Sequence, residues 1–247
     1  MTNSVETGHN KNQANFGTLT SYVTAYGATY NPSNPYIVLT SLNNILDRAH
    51  TAIQAVDASK PIYSVARAER EVAFAPLKQL SRRVMNALLA STTTPEIDAS
   101  VKTIVHKIQG IRATPWKTED EKQAIEAAGK SAKQISSAQT SYDNQLENLY
   151  MLIQLLLKVP QYAPNEIDLQ PATLTALYTD LKAKNAAVIA ATVPLSNARI
   201  ARDEVLYKAD SGLFDVAAEV KIYVKSVYGA SSPQYKQISK IKFTKPR

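Results

Sequence analysis

The chain has 247 residues, 45% of them hydrophobic and 20% charged, with no cysteine and only three histidines. A chain of this length can bury a core without covalent staples, and the missing thiols exclude disulfides and thiolate metal sites. Seven of the 28 basic residues and none of the 21 acidic ones fall in 221–247, so the net charge of +7 belongs to the C-terminus and the rest is balanced at 21 of each. His9, His50 and His106 are too scattered for a histidine-rich metal centre. The N-terminus lacks the basic start and apolar run of a secretory signal, and no run of 18 apolar residues occurs. The expected address is the cytoplasm, with no insertion into a membrane.

Residues 1–33 are rich in Asn, Thr, Ser and Gly and poor in large aliphatics, which predicts a polar, flexible arm. Within it Tyr22, Tyr26 and Tyr30 recur every four residues, as a stripe for contacting a partner or as tyrosines that merely tolerate water. From Pro35 the pattern changes. Leu39, Leu42, Leu46, Ala49, Ile53 and Val56 alternate spacings of three and four, one apolar stripe on a helix. Ile97, Val101, Ile104, Ile108 and Ile111 do the same behind Thr94 as N-cap and Pro95 at the first helical position. Thr118 and Glu121 form a capping box, with Glu119 and Asp120 facing the positive end of the helix dipole. The apolar rhythm that follows, through Ala132, Ile135, Leu146 and Leu156, predicts one helix over 118–158, stopped by Pro160.

The next helix opens at Pro171 and brings an internal repeat. Leu174, Leu177, Leu181 and Val188 match Leu39, Leu42, Leu46 and Ile53 at an offset of 135. SVARAEREVAF (64–74) matches SNARIARDEVLY (196–207) at offsets of 132 and 133, allowing one inserted residue. Leu213, Val216, Val220 and Val224 match Leu77, Leu80, Val84 and Leu88 at 136, and between the blocks stand Pro76 in one copy and Asp210-Ser211-Gly212 in the other. Pro61 and Pro194 occupy nearby places, each a candidate kink in a long helix. No part of the body alternates with period two. The expected fold is all-α, an elongated up-and-down helical bundle with a pseudo-repeat over about 36–90 and 171–228. One bundle domain would cover 34–228, followed by a basic tail over 229–247.

Chemistry is harder to find. AIEAAGKS (124–131) ends like a phosphate-binding loop, but Ala124 stands where the first glycine is needed, and the stretch lies within a capped helix. Asp47 and His50 share a helical face without the second motif that a di-iron bundle requires. Arg67, Arg70, Arg199 and Arg202 hold equivalent places in the two copies, with Glu69, Glu71, Asp203 and Glu204 nearby. They suit ion pairs between the copies or, alternatively, an anion site. In the tail Lys221, Lys225, Lys236, Lys240, Lys242, Lys245 and Arg247 offer contacts to phosphates, without a module that reads bases.

LENLYMLIQLL (146–156), YAPNEIDL (162–169), LSNARIARDEVLY (195–207) and GASSPQYKQI (229–238) resemble segments of uncharacterised all-helical proteins of Bacteroidetes. The resemblance covers roughly 140–247 and implies a bacterial origin and a helical fold; it carries no functional residue. The expected function is a non-enzymatic structural or scaffold bundle that binds a protein partner or copies of itself through its arm and tail, with no cofactor. The alternative is a nucleic-acid-binding accessory protein working through the basic tail.

Overall fold

The structure, a computed structural model, describes residues 8–111, 118–129 and 140–245. The helices are α1 (His9–Ala25), α2 (Leu39–Phe74), α3 (Leu77–Leu89), α4 (Pro95–Gln109), α5 (Glu119–Ala127), α6 (Tyr142–Leu156), α7 (Pro171–Tyr207), α8 (Leu213–Tyr228) and α9 (Pro233–Ser239). No strand occurs among the described residues, so the fold is all-α.

Local chemistry sets the ends. Thr94 precedes Pro95 with Glu96 and Asp98 in the first turn of α4, and Gly110 closes that helix in the left-handed region at φ 73°. Thr118 and Glu121 complete the expected capping box. Ser141 caps α6 by accepting from the Asn144 amide, and Ser232 caps α9 by accepting from the Tyr235 amide. Pro61 and Pro194 lie inside continuous helices, so neither divides its helix. Both are exposed, which leaves to water the carbonyls that a proline cannot reach with an N–H.

Three expectations need correction. The helix foreseen over 118–158 is not continuous: α5 ends at Ala127, Gly129 turns the chain at φ 70°, and α6 starts afresh from its own cap. A glycine in the left-handed region after a short helix is a stop signal that the apolar rhythm concealed. Ala132 and Ile135 lie outside the described residues. The arm foreseen over 1–33 contains α1, whose Phe16, Leu19 and Val23 are fully buried. Its composition looked too polar because Asn12 and Thr20 share the buried face, where the Thr20 hydroxyl is satisfied by the Phe16 carbonyl at 2.9 Å. The single bundle foreseen over 34–228 is instead two compact units.

The first unit takes its residues from 1–64 and 190–247, the second from 65–189. The chain therefore passes between units inside α2 and again inside α7. In the first unit Phe16, Leu19, Leu42, Ala49, Leu206, Leu213, Val220 and Ile238 belong to one apolar core. In the second, Leu77, Leu88, Val101, Ile108, Leu149, Leu152, Leu174 and Leu181 belong to another. Each fully buried aliphatic contributes roughly 1.5–3 kcal/mol. Within their units α3 packs on α4, α4 on α6, α1 on α8 and α8 on α9.

Each unit also carries one buried tyrosine that ties the approach to a long helix. The Tyr30 hydroxyl donates to the Ile37 carbonyl at 2.6 Å, ahead of α2, and the Tyr162 hydroxyl donates to the Leu169 carbonyl at 2.8 Å, ahead of α7. Both rings are about 5% exposed, and burial pushes both phenols above their ordinary pKa, Tyr162 to about 12.

Candidate functional site

The tyrosine stripe foreseen as a partner contact faces inward. Tyr30 meets Tyr223 edge to face at 5.3 Å between ring centres, and Tyr26 meets Tyr228 in the same way at 5.4 Å. The Tyr26 hydroxyl donates to the Gln234 carbonyl at 2.9 Å, and Tyr22 is half-buried against the same core. Only Tyr22 lies in α1, which ends at Ala25; Tyr26 and Tyr30 follow it, and their rings pack on tyrosines of α8.

The basic tail is likewise held down. Asn12 is buried in α1, its Nδ2 donating to the Thr244 carbonyl at 2.7 Å and its Oδ1 accepting from the Thr244 amide at 3.0 Å. Asn15 donates to the Lys242 carbonyl at 2.7 Å. The tail then places Phe243 and Ile241 against the first core, with Ile238 fully buried. Sequence reasoning missed Asn12 and Asn15; their only signal was an Asn at i and i+3 on the face that also carries Phe16 and Leu19.

Several tail cations are engaged. Lys221 donates from Nζ to the Ile241 carbonyl at 2.5 Å and lies 5.1 Å from the centre of the Phe243 ring; burial pulls its pKa down. Lys225 stands 5.9 Å from Tyr235 and Lys245 5.9 Å from Phe214, within cation–π range. Lys236, Lys240 and Lys242 are exposed, and Arg247 lies outside the described residues.

Two clefts in the first unit gather charge. One, of about 360 Å³, is lined by Lys11, Lys240 and Lys242 with Asn12, Asn15 and Tyr22. The other, of about 330 Å³, is lined by His9, Lys60, Arg199 and Arg202, with Asp57 on its wall. Arg202 is already paired with Asp203, Nη2 to Oδ1 at 2.8 Å. Burial first, and then the Arg202 charge, hold the His9 imidazole below its ordinary pKa, and its Nδ1 lies 2.9 Å from the Tyr207 hydroxyl.

Arg67 and Arg70 belong to the second unit, Arg199 and Arg202 to the first. Arg70 stacks on Tyr142, 3.9 Å from the ring centre, and donates from Nη1 to Asn185 Oδ1 at 2.9 Å. Its buried Nε has no hydrogen-bond partner. The Asn185 amide in turn donates to Asp143 at 2.7 Å, and Lys184 pairs with Glu69 at 2.8 Å. Arg70 thus meets Asn185 and Tyr142, and Arg202 meets its chain neighbour Asp203.

Asp47 and His50 are both exposed, and among the described residues no group of three or more His, Asp or Glu is placed to hold a metal. Ala124 lies inside α5, no strand precedes it among the described residues, and Lys130 and Ser131 of AIEAAGKS lie outside them. Among the same residues no helix is long and apolar enough to cross a membrane.

Fold and surface together define a helical protein with two separate cores and small basic clefts in the first unit. No family model, no curated protein and no solved structure matches the chain.

Proposed function

We propose that the chain is a non-enzymatic scaffold that associates with a second copy of itself through the outward faces of its two long helices. One observation supports this above the others. On α2, Ile62, Val65 and Val72 are 64%, 57% and 75% exposed and fall on one helical face; on α7, Ile189, Val193 and Ile200 do the same. Isolated exposed aliphatics are ordinary, but a stripe on each of two long helices is what a partner helix covers. Matching stripes on one chain suit an isologous pairing, in which the same patch serves both copies.

Light scattering on the full chain tests the proposal. A mass above that of one chain is expected, falling to that of one chain in Val72→Glu and Ile200→Glu while far-UV circular dichroism shows their helicity kept, because both positions are exposed within a single chain. A natural chain that stays at the mass of one copy refutes it.

The second reading is binding to nucleic acid through the exposed Lys11, Lys236, Lys240 and Lys242, three of which line one cleft. With four phosphate contacts the salt slope on duplex DNA is expected to be about −4, and a gel shift insensitive to salt overturns that reading.

A further inference from the structure

We infer that residues 9–111 and 142–245 are two copies of one helical module, and that each compact unit is assembled from complementary halves of both. The natural partner of a half-module is the other half of a second copy, which this chain supplies to itself. The inference does not depend on the scaffold function.

The observations are correspondences in burial and contact that go beyond the matches in the sequence. In α1 the buried residues are Asn12, Phe16, Leu19, Thr20 and Val23; adding 133 gives Gln145, Leu149, Leu152, Ile153 and Leu156, all buried in α6. Adding 132 to Tyr30 and Ile37 gives Tyr162 and Leu169, so the two buried tyrosine-to-carbonyl bonds are one feature present twice. Adding 132 to Leu42, Ala49, Ile53 and Val56 gives Leu174, Leu181, Asn185 and Val188, buried in α7 as their counterparts are in α2. Sequence periodicity suggested 135 here, pairing Leu39 with Leu174. Burial corrects the register, because Leu39 is only partly covered and Leu42 fully. At 136 the buried Leu77, Ser81, Val84 and Leu88 of α3 fall on the buried Leu213, Ala217, Val220 and Val224 of α8. Thr94-Pro95 and Ser232-Pro233, the starts of α4 and α9, lie 138 apart.

Side-chain contacts repeat as well. Tyr142 meets Phe74 at 4.8 Å and His9 meets Tyr207 at 5.6 Å between ring centres, and the two pairs are related by 133 at both members. Arg70 stacks on Tyr142, while Arg202, 132 residues on, is one of the charges acting on His9. A chance likeness between two helical stretches does not reproduce burial, a hydrogen bond across seven residues, and a ring pair drawn from distant segments.

The exchange follows from how the units divide the chain. The second unit holds the end of α2 with α3 and α4 from the first copy, and α6 with the start of α7 from the second. The first unit holds α1 with the start of α2 from the first copy, and the end of α7 with α8 and α9 from the second. Matched element by element, both units therefore contain the same five pieces, each mixed from the two copies. Among folded proteins that arrangement is the product of swapping identical elements between protomers, here with both protomers in one chain.

Two full-length variants test the inference: one with 9–111 replaced by a second 142–245, the other with 142–245 replaced by a second 9–111, both keeping the natural 112–141. If the modules are equivalent, at least one of these is expected to be a helical particle at the mass of one chain. It should melt in a single transition and show roughly half the natural number of amide resonances, because each module then sees an identical partner. If both lack cooperative melting, or if a folded variant retains the full set of resonances, the modules are not equivalent and the inference falls.

Discussion

Tyr162→Phe deletes one hydroxyl from a nearly dry site and leaves the ring in place. The lost bond to the Leu169 carbonyl is 2.8 Å long and spans seven residues across the turn that leads into α7. Water has little access to replace it, since the tyrosine and Leu169 are 6% and 5% exposed. A net hydrogen bond is worth about 1 kcal/mol, and a stranded buried acceptor raises the cost to roughly 1–3 kcal/mol. For a chain of this size that is a fall in melting temperature of roughly 2–10 °C. Tyr30→Phe removes the equivalent bond to Ile37, at 2.6 Å, and is expected to cost the same. The two sites belong to different units, so the double variant should lose the sum of the single losses within about 0.5 kcal/mol. Urea unfolding followed by far-UV circular dichroism measures this, with the midpoint moving and the slope unchanged. A Tyr162→Phe chain as stable as the natural one would mean that the hydroxyl is not buried against that carbonyl.

The same phenols give an alkaline limit. Both folded pKa values are raised; for Tyr162 the protonated form contributes stability that is fully present below the unfolded value near 10 and is lost as pH climbs through about 12, so melts at pH 8 and pH 11 should differ more in the natural chain than in Tyr162→Phe. Asn12→Ala removes both bonds to Thr244, and roughly 1–3 kcal/mol of stability with faster amide exchange over 240–245 is expected; unchanged exchange there rules out the anchoring role. A protease site introduced after Gly129 should allow cleavage without separation, since both units draw residues from each side of that point; two fragments eluting apart in native buffer would contradict the division of the chain.

Much of the fold was legible because helix ends are local events. Thr118 with Glu121, and Thr94 with Pro95, declare their caps within four residues, and the stripes of α2 and α7 follow from spacing alone. What stayed hidden was long-range. α1 reads as polar because its buried Asn12 is satisfied by a carbonyl 232 positions away, which no local pattern announces. The lysines of the tail read as free cations because the aromatic rings and carbonyl that engage Lys221 and Lys225 come from the same segment only once it is folded back on α8. The break at Gly129 was obscured by apolar residues that keep a helical rhythm on both sides. Recurrence was visible in the sequence, but its register was not, since only burial distinguishes Leu42 from Leu39 as the counterpart of Leu174.

Because the first core joins α1 to the segment that carries Thr244, it is closed by residues 232 positions apart. During synthesis at roughly 5–20 residues per second, α1 would leave the ribosome roughly 10–50 s before its last partner exists. Until Leu206 and α8 follow, the members of that core at hand for Phe16, Leu19 and Val23 are Tyr30, Ile37 and the start of α2.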